Sequence, residues 1–291
     1  MKISSLFKKG RPVFSFEIFP PKKDGSIEAV YRTLDELTDL KPDFISVTYG
    51  AGGKTPEGCS TREIVCIIKE KYHTESIAHL TCVNSTREDI DRVIGEFERF
   101  GVENVLALRG DINPDFPPKE DFRHASELIS YMKQRSSLSF SGACYPEGHT
   151  EAKSIEEDIE NLKKKVDAGA EHLISQLFFD NALFYEFLDK VRAAGINVPI
   201  EAGIMPCVNA KQIQRMVTMC GASLPPKFTK IMARFEGDPE AMRDAGIAYA
   251  IDQIIDLAAN GVDGIHLYTM NNPYVARKIS ESVESVLVSG R

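Results

Sequence analysis

No stretch of this 291-residue chain approaches the ~20 consecutive apolar residues that a membrane-spanning helix requires. The opening run, Met1-Lys-Ile-Ser-Ser-Leu-Phe-Lys-Lys9, has no continuous apolar segment of the kind that forms a signal-peptide core. Basic charge is also in short supply: 35 Lys and Arg face 43 Asp and Glu, a net charge of −8. Non-specific nucleic-acid binding needs a basic face, so neither nucleic acid nor a membrane is an expected partner. A local basic patch for a phosphate or an acidic tail remains compatible with that balance. The six cysteines (Cys59, Cys66, Cys82, Cys144, Cys207 and Cys220) form no CxxC pair, and three of them sit in or beside apolar runs. They are expected to be small buried residues of a cytoplasmic protein, with no disulfide and no metal site. The signatures GxGxxG, Walker A and HExxH are all missing, so any nucleotide or flavin would have to be held by other loops.

What is present is repetition of β-rich runs. Eight recur: Val13–Phe19, Phe44–Tyr49, Ile77–Val83, Asn104–Leu108, Leu138–Tyr145, His172–Phe179, Val198–Ile204 and Gly264–Thr269. Several are nearly continuous in apolar residues, as strands buried on both faces are. Helical punctuation lies between them. Ser154 and Glu157 have capping-box spacing before Ile155, Ile159, Leu162 and Val166, and Ser85 with Glu88 repeats it before Ile90, Val93, Ile94 and Phe97. Asp238-Pro239 opens a helix that runs to Asn260-Gly261.

Eightfold β-α alternation predicts an α/β fold of the (β/α)8 TIM-barrel type, as a single domain over 1–291. A doubly wound open sheet is the competing arrangement. The spacing is long only between the seventh and eighth strands. There a helix near Lys211–Met219, a Pro225-Pro226 breaker and a segment through Phe235 read as an insertion, about 205–237, at the active-site end.

In such a barrel the reacting groups stand at the C-terminal strand ends. Those ends read Glu17, Thr48-Tyr49, His79, Arg109-Gly110-Asp111, Tyr145 with Glu147 and His149, Gln176, and Tyr268-Thr269. A polar residue at nearly every end suggests a lined cavity, since each buried one must find a partner. Glu17, among Phe14, Phe16, Phe19 and two prolines, is expected to resist ionisation and so to suit general-acid work, although a Glu bonded to a loop backbone would look the same. Arg109 and Asp111 read either as a local ion pair or as a cation for a phosphate and a carboxylate for a ring, with Gly110 allowing close backbone approach to a ligand. Asp158, Asn161 and Lys165 form a polar helix stripe, ordinarily a solvated face. Gln176 can both donate and accept, which suits a pterin edge.

These strings, in order, resemble the methylenetetrahydrofolate reductases: Phe16-Glu-Ile-Phe-Pro-Pro21, Phe44-Ile-Ser-Val-Thr-Tyr-Gly50, His79-Leu-Thr-Cys82, Ala107-Leu-Arg-Gly-Asp111, Tyr145-Pro-Glu-Gly-His149, Lys165-Val-Asp-Ala-Gly-Ala170, Ile174-Ser-Gln-Leu-Phe-Phe-Asp180 and Arg234-Phe235. The resemblance implies reduction of 5,10-methylenetetrahydrofolate to 5-methyltetrahydrofolate. FAD would be bound at the barrel mouth, and NAD(P)H or a protein electron donor would use the same face in a ping-pong sequence. Carried over by position, Glu17 is the acid for folate N10 and Asp111 a carboxylate near flavin and pterin. Gln176 and Phe235 contact folate. Thr48, Tyr49, His79, Arg109, Gly110, Asp111, Tyr145, His149, Ala152, Asp158 and Lys165 contact the flavin, which reverses the solvated reading of the helix stripe. Asn272 stands where family members often carry Arg, and the regulatory domain of eukaryotic members has no counterpart, so control of that kind is not expected. A homo-oligomer is expected. The rival readings are a flavin-free pterin barrel of methyltransferase type and a non-catalytic subunit of a one-carbon complex.

Overall fold

A computed structural model describes residues 1–8, 10–21, 26–49, 60–112 and 117–289; Gly50 and Cys59 lie outside the described residues. A 3-10 helix, Ile3–Lys8, precedes β1 (Val13–Ile18), α1 (Ile27–Thr38), β2 (Phe44–Val47), α2 (Thr61–Tyr72), β3 (Glu75–Thr81), α3 (Arg87–Arg99), β4 (Asn104–Leu108) and α4 (Ala125–Lys133). Then come β5 (Ser139–Cys144), α5 (Ile155–Ala168), β6 (Ala170–Ser175), α6 (Asn181–Ala193), β7 (Ile200–Ile204), α7 (Ala210–Cys220), α8 (Pro226–Phe235), α9 (Pro239–Ala259), β8 (Gly264–Tyr268) and α10 (Pro273–Val288). The strands pair in sequence order as a closed barrel, so the α/β barrel reading holds over the open sheet. Every residue of β2 and of β7 is buried, which explains their mostly apolar composition, with only Ser46 in β2 and Glu201 in β7 polar: a barrel strand meets side chains within and helices without.

Several sequence expectations shift in detail. The sixth strand ends at Ser175 and not at Phe179, so Gln176 is the first residue beyond it. The apolar run continues because Leu177 and Phe179 belong to a second cluster, with Met205, Ile213, Phe228, Met232 and Met242. The cap of α3 is Thr86, one residue after Ser85. Its hydroxyl accepts from Asp89 N, and the Asp89 carboxylate accepts from Thr86 N. At α5 only half the expected box forms: Ser154 Oγ accepts from Glu157 N, but the Glu157 carboxylate takes Lys153 N. Asp238 caps α9 as expected, accepting from Glu240 N and Ala241 N. The Pro225-Pro226 pair starts a helix: Pro226 is the first residue of α8, where its missing N–H has no intrahelical partner to lose.

By internal contacts the chain forms two compact units. One comprises Met1–Leu6, Ser15–Ala143 and Lys164–Leu173. In it the buried Asn104 ties down the N-terminal turn, accepting from Ile3 N and donating to Met1 O, each at 3.0 Å. The Ser141 hydroxyl meets His172 Nδ1 at 2.9 Å inside the barrel. The other comprises Phe7–Phe14, Cys144–Lys163 and Ile174–Arg291, where Val13 N donates to Asp263 O and the apolar cluster gathers α7, α8 and α9 around the end of β7.

Cys82, Cys144 and Cys207 are buried and Cys66 and Cys220 half-buried; all five are free thiols. Burial pushes Cys82 up to about 12, with the Glu127 charge adding to it, and burial alone does the same to Cys207. At pH 8 the thiolate fraction at these two is then on the order of one in ten thousand. Iodoacetamide at pH 8 is expected to modify Cys66 and Cys220 in the native protein and Cys82, Cys144 and Cys207 only after unfolding. Peptide mapping that finds Cys82 or Cys207 labelled early would contradict this burial.

Candidate active site

In the first unit, register explains how Glu17 meets His79. Glu17 aligns with Ser46, and Ser46 with Ile77; strand alternation returns His79, two residues beyond Ile77, to the same side. Glu17 Oε2 lies 3.6 Å from His79 Nε2, with the carboxylate side chain 18% exposed and the imidazole 6%.

The end of β4 is fixed by β3: Arg109 O accepts from Cys82 N and Val83 N, and Arg109 Nε donates to Gly110 O. Gly110 has φ +89°, and a Cβ there would meet Thr81 Cβ at 3.0 Å. Its lack of a side chain therefore serves the packing of Gly110 against Thr81 and Val83. Arg109 is half-buried and Asp111 exposed. Thr48 is held by its backbone: its N–H reaches Ile18 O, and its carbonyl accepts the Thr61 hydroxyl at 2.8 Å. Tyr49 is 45% and Ile112 51% exposed, two large apolar surfaces left uncovered just past β2 and β4. Lys165, from α5, donates to Ala143 O at 2.8 Å.

In the second unit, Tyr145 O accepts from Gly148 N, making a tight turn, and the rings of Tyr145 and His149 meet edge-to-face at 4.6 Å. Asp158 is buried and its carboxylate accepts from His149 N at 3.2 Å. Ala152 N closes the loop on His149 O. The stripe containing Asp158 and Lys165 is thus not a solvated face: both charged groups turn back to backbone atoms of the β5 end and its loop. Phe235 packs against the apolar cluster at the end of α8. Tyr268 donates its hydroxyl to Ser175 O at 2.8 Å. Asn272 caps α10, accepting from Val275 N, and Met270 and Asn271 before it both have positive φ, so this position serves the turn into the helix.

Gln176 is more constrained than its residue type suggests. Its Oε1 accepts from Leu177 N at 2.9 Å, and its own N–H goes to Cys144 O. The acceptor half of the amide is engaged, so the side chain offers its NH2 donors. Sequence reasoning missed the residues behind it. Tyr249 on α9 donates to Phe179 O at 2.6 Å, and Gln253, one turn later, donates to Phe178 O at 3.3 Å. The available signal was two polar residues four apart on the Gly246–Ala250 face of a helix.

A family model described as methylenetetrahydrofolate reductase matches residues 2–284. This chain belongs to the methylenetetrahydrofolate reductase family. It is 38% identical over 275 residues to a 5,10-methylenetetrahydrofolate reductase of Pectobacterium carotovorum, covering 94% of this chain and 91% of that protein. The corresponding Escherichia coli K12 protein is 34% identical over 275 residues, with 94% and 92% covered. Methylenetetrahydrofolate reductase (NADH) 1 of Arabidopsis thaliana is 35% identical over 290 residues, 93% of this chain and 48% of that longer protein. Membership of the methylenetetrahydrofolate reductases makes this chain an oxidoreductase. Among solved structures, an uncharacterized Clostridium thermocellum protein that binds two copies of 5-methyl-5,6,7,8-tetrahydrofolic acid shares the fold, with a TM-score of 0.68 at 14% identity, covering 98% of this chain and 99% of that one. Among the described residues, no helix is long and apolar enough to cross a membrane.

Proposed function

We propose that this chain, acting as one (β/α)8 catalytic domain with 205–237 as its insertion, reduces 5,10-methylenetetrahydrofolate to 5-methyltetrahydrofolate with FAD as cofactor. The observation that carries the reading is the Glu17–His79 pair, a shielded acid at the barrel's catalytic end in a chain of this family. The residues present suit FAD. Arg109 and Lys165 are cations for a diphosphate, the buried Asp158 is an acceptor for a polyol or ribose hydroxyl, and Tyr49 and Ile112 offer uncovered apolar surface for a flat ring. Thr48, His79, Gly110, Asp111, Tyr145, His149 and Ala152 complete the set that would hold it. FAD, when bound, supplies the hydride, drawn from NADH, NADPH or a protein donor that precedes folate on the same face.

Glu17 gives a proton to folate N10, opening the five-membered ring to an iminium cation, with His79 holding the carboxyl in place. Asp111 offsets the developing positive charge. Gln176 donates to an acceptor on the pterin edge, and Phe235 stacks on the folate or the donor. A cytoplasmic homo-oligomer is the working state.

An absorption spectrum of the purified protein tests the cofactor. A flavin spectrum that bleaches anaerobically with a nicotinamide or a low-potential carrier and returns with methylenetetrahydrofolate is expected. A colourless protein that takes up no FAD would sink the reading in favour of a flavin-free pterin barrel. For Gln176→Glu, a carboxylate oxygen still accepts from Leu177 N, but the donors are gone. Losing a paired donor and leaving an acceptor facing an acceptor costs about 1–3 kcal/mol, so KM for methylenetetrahydrofolate is expected to rise roughly 5- to 150-fold. Steady-state kinetics with an unchanged KM would show that Gln176 does not read the pterin.

A further inference from the structure

The turn Tyr145–Gly148 does more than present the Tyr145 ring. At its corner the Glu147 carboxylate reaches the tip of the α7–α8 hairpin, where Ser223 N lies 3.1 Å from Oε1 and 3.0 Å from Oε2. A second contact meets at the same place. Gly221, the left-handed cap of α7 at φ +72°, lies so close to the loop that a Cβ there would sit 2.8 Å from Thr150 Cγ2. Helix α8 itself is anchored separately, by Phe228 of its first turn stacked on Phe179 at 4.5 Å and by the buried Met232 one turn later. The cluster therefore holds α8 itself, and the tie at Ser223 fixes the loop that feeds into it. Phe235 is the last residue of that helix.

We infer that Glu147 is a positioning residue: through Ser223 N it sets the pose of α8, and so places Phe235 against the ligand. This rests on the reading that Phe235 meets the folate. A carboxylate is suited to the task because a charged acceptor binds a backbone N–H more strongly than a neutral one, and it pairs the exposed Ser223 between Ala222 and Leu224, which pack into the cluster. Ligand exchange through the mouth of a barrel needs a wall that yields. A polar tie at an exposed residue such as Ser223 is the kind of contact that opens locally at lower cost than the core.

The test uses the full chain and two measurements. In Glu147→Ala, amide hydrogen exchange across residues 210–235 is expected to quicken about three- to tenfold, with β1 to β4 unchanged. KM for methylenetetrahydrofolate is expected to rise by a similar factor while kcat holds. Glu147→Gln, whose amide oxygen still accepts from Ser223 N, is expected to restore most of both. Gly221→Ala, which pushes the tip off Thr150, is expected to raise the same KM. Unchanged exchange in Glu147→Ala, or quickened exchange with KM unmoved, would overturn the positioning role, as would failure of Glu147→Gln to restore it. A wild-type chain with no folate turnover would instead sink the reading of the site, while exchange still judges the tie.

Discussion

Glu17→Gln is expected to lower turnover of methylenetetrahydrofolate about 10²- to 10⁴-fold, the ordinary contribution of a positioned general acid, while leaving KM within a few-fold of wild type. Glutamine fills the same volume and can hold the same place beside His79 Nε2, but has no proton to give. The loss is therefore confined to the transition state, roughly 3–5 kcal/mol of barrier, and leaves ground-state binding alone. In the proposed ping-pong sequence the half-reaction with the electron donor does not protonate folate, and it is expected to proceed at its wild-type rate. Rapid-mixing absorbance separates the two halves. A variant that turns over folate within tenfold of wild type would remove Glu17 from the acid role and leave it a wall residue. The pairing makes a second point. His79 is buried beside the acid, so a change there would move both the placement of the carboxylate and the cavity wall, which is why Glu17 itself gives the cleaner test.

Much of this was legible in the chain because barrel strands carry a strong local signal. A run such as Phe44-Ile-Ser-Val47 is mostly apolar for the reason that both its faces are buried, and eight such runs leave few topologies. Glu17 stood out because a carboxyl among phenylalanines is expensive unless it has a use. The signal fails where an apolar run changes employer. Leu177-Phe178-Phe179 continues the sixth strand in composition, yet Leu177 and Phe179 serve a cluster with Met205 and Phe228, so hydrophobicity alone overruns the strand end. It fails again at Pro225-Pro226, which reads as a breaker but begins α8, while α7 has already ended at its Gly221 cap. Asp158 and Lys165 read as solvated because their partners, His149 N and Ala143 O, lie in a neighbouring loop and strand that helix periodicity does not encode. Glu147 and Ser223 are 76 residues apart, and no local pattern joins them.

The sharpest departure from sequence rules is at Gly246. In a solvent-facing helix, Gly→Ala gains about 1 kcal/mol from backbone entropy alone, and the 21-residue α9 would be a natural place to collect it. Here a Cβ would fall 1.7 Å from Cys207 O and 2.5 Å from its carbonyl carbon. The obstacle is backbone, not the end of a flexible side chain, so relief requires α9 or the loop after β7 to move bodily. Overpacking of this kind costs about 1–3 kcal/mol and more when backbone must shift, which outweighs the propensity gain and reverses its sign. At about 2–4 °C per kcal/mol for a chain near this size, a net loss of about 2 kcal/mol lowers Tm by roughly 4–8 °C. The displacement carries function with it: α9 also supplies Tyr249 and Gln253 to the carbonyls of Phe179 and Phe178, just beyond Gln176. Gly246→Ala is therefore expected to raise KM for methylenetetrahydrofolate as well as to melt early. A melting curve at or above the wild-type Tm would mean that propensity wins and that the contact between α9 and Cys207 is slack.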